Sequence, residues 1–114
     1  MLDLLFVCGT LRSEFDNPYA RKLRSEAVFM GRATTSGSIF RIDWYPAFRN
    51  EPPGIVHGEL YRLNDPESMF TALDEYEGPD FERIMLDAPR AWIYRYVRQP
   101  PPESRILSGD FCEP

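Results

Sequence analysis

The sequence predicts an α+β fold, and three features point to it. Two segments carry a polar cap, a proline in the first turn and apolar residues at helical spacing, beginning at Asn17 and at Asp65. Between and after them lie apolar runs and period-two stretches of strand character. Eleven prolines among 114 residues leave room for few long helices.

Length and composition set the frame. A chain of 114 residues makes one domain, residues 1–114, with a core of its own. Its 43% hydrophobic and 27% charged content is that of ordinary globular chains. The formal net charge of −5 argues against general binding to a nucleic-acid backbone, which relies on Lys and Arg. No apolar run approaches the roughly 20 residues of a membrane helix. A basic region followed by a long apolar stretch is absent at the start, so no signal peptide and no membrane partner are expected. Cys8 and Cys112 make no disulfide framework, which fits a reducing cytoplasm.

The chain opens with a strand, Leu4 to Cys8, stopped by Gly9. Gly9 either simply turns the chain or lets the amides near Thr10 and Leu11 face a small anion. Asn17 then caps a short helix starting at Pro18, with Tyr19, Leu23 and Ala27 on one face. Arg21, Lys22 and Arg24 form its solvated side. Val28 to Met30 and Ser38 to Ile42 read as two strands joined by a turn-rich link from Gly31 to Gly37. Asp43 to Pro53 reads as a loop, in which Trp44 and Phe48 either wall a pocket or pack beneath the loop. Gly54 to Leu63 is a further strand, and Gly58 marks a bulge or a close backbone approach. His57, the sole histidine, lacks partners at metal-ligand spacing and reads as a hydrogen-bonded structural residue.

The second helix runs from Asp65 to Gly78, with Met69, Leu73 and Tyr76 on its inward stripe. Glu77 falls at the margin of that stripe, with Asp74 and Glu75 on the wet side. If Glu77 points inward, partial burial, the helix dipole and Asp74 all raise its pKa toward neutrality. A carboxyl so tuned can both take and return a proton. The plainer reading is an exposed glutamate at a fraying helix end. Arg83 to Ala88 and Ala91 to Arg98 follow as a hairpin, with Trp92, Tyr94 and Tyr96 on one face. Ile106 to Phe111 returns toward the sheet.

At motif level, FVCGTLR at the first turn resembles the (Phe/Val)-Tyr-Gly-(Thr/Ser)-Leu loop of the gamma-glutamylcyclotransferase-like family. LDEYEG, Leu73 to Gly78, is similar to that family's Leu-Asp-x-x-Glu-Gly segment. Gly31, Gly37, GELYRL, the Phe81-x-Arg83 pair, AWIYRY and SGDF follow the family's order. The resemblance covers nearly the whole chain. It implies a small mixed β-barrel flanked by a few short helices, with the reaction in a cavity at the barrel's mouth. It also implies conversion of a gamma-glutamyl amine or amino acid into 5-oxoproline and a free amine, without metal or organic cofactor. Carried over by position, Glu77 is the catalytic acid/base. The substrate-binding set is Cys8, Gly9, Thr10, Leu11, Arg12, Phe81 and Tyr94.

This chemistry suits the residue types. The substrate supplies its own nucleophile, an α-amine that reaches the γ-carbonyl and closes a five-membered ring. Orientation by a pocket then carries much of the rate. One carboxyl serves as base and then as acid, and loop amides serve the developing oxyanion. Cys8 and Phe81 stand where the family has tyrosines, which bears on substrate identity and on activity. Two other readings compete: a family member without turnover that binds a metabolite or protein through the same cavity, and a barrel that stacks bases on Trp44, Trp92, Tyr94 and Tyr96. The leaving amine and the oligomeric state stay open.

Overall fold

In a computed structural model that describes residues 2–113, β1 (Leu4–Val7) occupies the middle of a five-stranded sheet. Its residues alternate strictly. Leu5 and Val7 enter one apolar cluster while Phe6 and Cys8 enter another, as the period of a strand buried on both faces demands. β1 pairs antiparallel with β5 (Ile55–Leu63) and parallel with β7 (Trp92–Tyr96). β2 (Ala27–Ser36) lies outside β5, and β6 (Phe81–Met85) lies outside β7, giving the order β2-β5-β1-β7-β6.

One face is covered by α1 (Pro18–Glu26) and α2 (Pro66–Glu77). Leu23 of α1 and Met69, Phe70 and Leu73 of α2 pack there against Leu5, Tyr61 and Tyr94. Both helices begin as expected. Asn17 accepts the Ala20 N–H and Asp65 accepts the Ser68 N–H, with proline next in each case. Ala27 leaves helical geometry and starts β2 instead of closing the α1 face. The other sheet face is covered by the hairpin of β3 (Ser38–Ile42) and β4 (Tyr45–Arg49), and by the C-terminal segment. That segment is tied down where Ile106 N–H donates to Ile39 and His57 N–H donates to the Gly109 carbonyl.

Four expectations need correction. The sheet is not a closed barrel. β3 and β4 form their own two-stranded ladder, and β4 meets β7 through the Arg49 guanidinium on the Tyr96 carbonyl, 2.8 Å, rather than by strand pairing. The turn-rich link from Gly31 to Gly37 is mostly strand. Gly31 at φ 115° sits at a register shift that bends β2 without ending it, and Thr34, Thr35 and Ser36 pair with His57, Val56 and Ile55. The bulge therefore lies in β2, whereas Gly58 marks the close approach. A Cβ at Gly58 would collide with the Val7 carbonyl and the Phe6 ring. The loop from Asp43 to Pro53 contains β4, reached through a tight turn in which Asp43 takes φ 52°, a conformation aspartate tolerates. Finally, the His57 side chain is exposed; the hydrogen bond at that position is made by its backbone.

Arg12 is also not where the family pattern puts it. Its guanidinium is fully buried, donating to both oxygens of Glu14 at 3.1 and 2.7 Å and to Asp110 at 2.7 Å. It thus clamps the C-terminal segment to the chain just after the first turn. Arg12→Ala removes the cation and its apolar stem together, and a loss of about 3 kcal/mol is expected, the low end for a broken buried pair. Urea unfolding of the two proteins measures it. A change below about 0.5 kcal/mol, the ordinary scale for a surface substitution, would contradict the clamp.

Candidate active site

The first turn and the end of α2 are drawn together by side chains from three elements. Asn17 uses its oxygen to cap α1 and its amide to donate to the Thr10 carbonyl at 2.8 Å. The Thr10 and Tyr76 hydroxyls are 2.9 Å apart, and Tyr76 stacks on Tyr19 of α1 with ring centroids 4.4 Å apart. The turn itself closes with the Arg12 N–H on the Gly9 carbonyl. Among the described residues, no acceptor is paired with the N–H groups of Gly9, Thr10 or Leu11. Gly9 is required for a different reason from the one its sequence context suggests. A Cβ there would run into the Pro46 ring of β4, so the missing side chain lets the hairpin close over the turn.

Between these parts lies a cavity of about 240 Å³. Cys8, Gly9, Thr10 and Leu11 line it from β1 and the turn, and Tyr76 and Glu77 from the end of α2. Trp44, Tyr45, Pro46 and Phe48 close it from the hairpin side. Asp80, Phe81, Ile93 and Tyr94 complete the wall. Of the residues singled out from sequence, Glu77, Cys8, Gly9, Thr10, Leu11, Phe81 and Tyr94 therefore share one hollow, and Arg12 lies outside it. Phe48 is buried in this wall while Trp44 stays largely exposed at the turn. Pro46, Tyr45 and Asp80 were not singled out, because nothing in their local pattern shows that β4 folds over the first turn.

Burial sets the electrostatics. It lifts the Glu77 carboxyl from an ordinary 4.5 to about 7. Asp74 does not contribute as expected, since its carboxylate is taken up by Arg83 and by the Tyr94 hydroxyl. The Cys8 thiol is pushed up to about 12, mainly by burial and then by the nearby Glu77 charge, so it stays protonated and is no thiolate nucleophile. The Tyr76 and Tyr94 phenols are likewise raised, chiefly by burial. Asp80, also on the cavity wall, accepts from Arg98 Nε at 2.8 Å.

An apolar hollow lined by a carboxyl raised toward neutrality and by a turn whose backbone amides are unpaired has the make-up of a small-molecule site. The chain belongs to the family described as gamma-glutamyl cyclotransferase, AIG2-like, whose pattern matches residues 5–113. It is similar to a Vibrio cholerae protein named "Putative gamma-glutamylcyclotransferase", with 30% identity over 118 residues, spanning 99% of this chain and 98% of that one. An uncharacterised protein from Pyrococcus horikoshii superposes with a TM-score of 0.78 at 25% identity, over 97% of this chain and 91% of the other. A mouse AIG2-like protein shares the fold, with a TM-score of 0.74 at 22% identity, over 96% and 88% of the two chains. Among the described residues no helix is long and apolar enough to cross a membrane.

The raised Glu77 carboxyl ties stability to pH. Its folded pKa lies above the unfolded value, so the native state binds that proton more tightly. Nothing is lost below pH 4.5, where both states are protonated. The cost of burying the charge then grows as pH rises through 7, to at most about 3 kcal/mol. Glu77→Gln is therefore expected to match the parent protein near pH 4.5 and to exceed it in stability at pH 8. Urea midpoints at both pH values provide the check; a gap independent of pH would mean that Glu77 titrates like a solvated residue.

Proposed function

We propose that this protein is a cyclotransferase that cleaves a gamma-glutamyl amine or gamma-glutamyl amino acid into 5-oxoproline and the free amine. The observation that carries the reading is the Glu77 carboxyl, lifted to about 7 inside the cavity that also exposes the Gly9–Leu11 turn. Family membership supports the same chemistry.

The glutamyl part sits with its γ-carbonyl and α-carboxylate against the N–H groups of the turn. Glu77, ionised, removes a proton from the α-ammonium, and the freed amine attacks the γ-carbonyl carbon. A new C–N bond closes the five-membered ring while the carbonyl π electrons move onto oxygen, where turn amides stabilise the charge. The tetrahedral centre then re-forms its carbonyl and expels the original amine. That nitrogen takes the proton Glu77 holds, and the regenerated carboxylate relays the second proton of the ring nitrogen to the departing amine, which leaves as its ammonium while Glu77 returns to its starting state. The small hollow holds the folded conformer, so orientation supplies much of the acceleration. Neither Cys8 nor Phe81 is needed for a proton transfer, and the absence of their phenol oxygens shapes only what the pocket accepts.

The test is a panel of gamma-glutamyl amines and amino acids assayed for 5-oxoproline. Turnover is expected, with kcat/KM rising as pH passes through about 7 and the base ionises. Glu77→Gln is expected to lower kcat by about 10²–10⁴-fold, the range of a general acid/base, while the protein stays folded. Undiminished turnover in Glu77→Gln would end the assignment of that role. Ligand binding with no product from any panel member would favour a binding protein using the same hollow.

A further inference from the structure

Tyr94 lines the cavity, and the hydrogen-bond direction of its hydroxyl is fixed by Asp74. Its hydroxyl lies 2.6 Å from Asp74 Oδ1. Asp74 stands on α2, three residues before Glu77, and also receives Arg83 Nε and Nη2, each at 3.2 Å. The Arg83 guanidinium in turn lies over the Phe70 ring at 4.1 Å and over the Trp92 ring at 5.0 Å. The carboxylate is thereby oriented by an arginine that itself packs against two aromatic rings.

A carboxylate only accepts, so the phenol must be the donor, and 2.6 Å is the length of a charge-assisted O–H···O⁻ bond. A hydroxyl has one proton. With that proton committed to Asp74, the Tyr94 oxygen presents only lone pairs to anything else. Burial and the Asp74 carboxylate also hold the phenol far above its ordinary pKa, so the proton stays on the tyrosine.

We propose that Asp74 is a positioning residue that makes the Tyr94 hydroxyl an obligate acceptor for an N–H of the ligand's α-ammonium, beside Glu77. The inference rests on the cyclotransferase reading and adds to it the subsite for the nucleophilic nitrogen. Once Glu77 has taken one proton and Tyr94 oxygen holds another N–H, the nitrogen lone pair keeps one free direction, toward the γ-carbonyl. Tyr94 is by the same logic no oxyanion donor. That task falls to the backbone of the turn.

Two probes separate this role from mere support of the fold. One is γ-glutamyl methylamide, a substrate; the other is the N-methyl monoamide of glutaric acid, which lacks the α-amine and acts only as a competitive inhibitor. Tyr94→Phe is expected to raise KM for the first about tenfold while Ki for the second moves less than about twofold. Asp74→Asn makes the partner able to donate as well as accept, so the hydroxyl proton is no longer committed away from the ligand and a selective loss in the same direction is expected. The double variant should be no worse than Tyr94→Phe. Equal weakening of both probes, or no change in either, overturns the proposal. Should Asp74→Asn fail to fold, Tyr94→Phe decides alone. A parent protein that neither binds γ-glutamyl methylamide nor releases 5-oxoproline from it would instead refute the cyclotransferase reading.

Discussion

The arrangement depends on one junction between distant parts of the chain: the Thr10 and Tyr76 hydroxyls, with Tyr19 stacked behind. It holds the end of α2 against the first turn. Without it, Glu77 would stand at a helix end with water as its natural neighbour, since Gly78 ends the helix directly after it. The junction itself is braced by Asn17, which serves α1 and the turn at once. A short helix is marginal in isolation. Here α1 is stabilised by the same contacts that shape the cavity, so fold and site are built from shared interactions.

Much of this was legible in the chain. The β1 run, both proline-started helices and the glycine after Glu77 have local signatures, and each element formed within a few residues of its expected place. Glu77 falls only at the margin of the stripe of Met69, Leu73 and Tyr76, so spacing along α2 left open whether it faced the sheet or frayed into water; the structure places it on the cavity wall. The carboxyl's environment was less legible. The sequence neighbour Asp74 suggested a charge contribution, but partner choice depends on Arg83 and Tyr94, which approach from β6 and β7. Spacing along one helix says nothing about what the next strands bring.

The hairpin side was the least legible part. Three prolines between Asp43 and Pro53 read as a loop, yet Pro46 sits in β4 opposite Arg41, on a two-stranded ladder where a missing N–H is tolerable. Its ring occupies the space a Gly9 side chain would need, a fit between residues far apart in sequence. The same limitation explains Arg12. A basic residue that the family resemblance carries over with the first turn looks like a ligand contact until the partners Glu14 and Asp110 are known. Closure of the sheet into a barrel was likewise a question of how β3 and β4 attach, and a guanidinium-to-carbonyl contact leaves no sequence period behind.

The cavity's protonation follows a simple hierarchy. Cys8, Tyr76 and Tyr94 are each held in the neutral form, and Asp80 is bound to Arg98 at the margin. Glu77 is left as the group whose charge changes near neutrality. A ligand that brings an ammonium supplies the counter-charge that burial withholds, which drives Glu77 toward its ionised form on binding. With no ligand the carboxyl is evenly poised near pH 7, and a bound ammonium would tip it toward the ionised form that the proposed ring closure requires. A ligand lacking that cation supplies no such counter-charge. On the proposed reading, discrimination between amine-bearing and amine-free ligands would then come from the Glu77 carboxyl as well as from the shape around it.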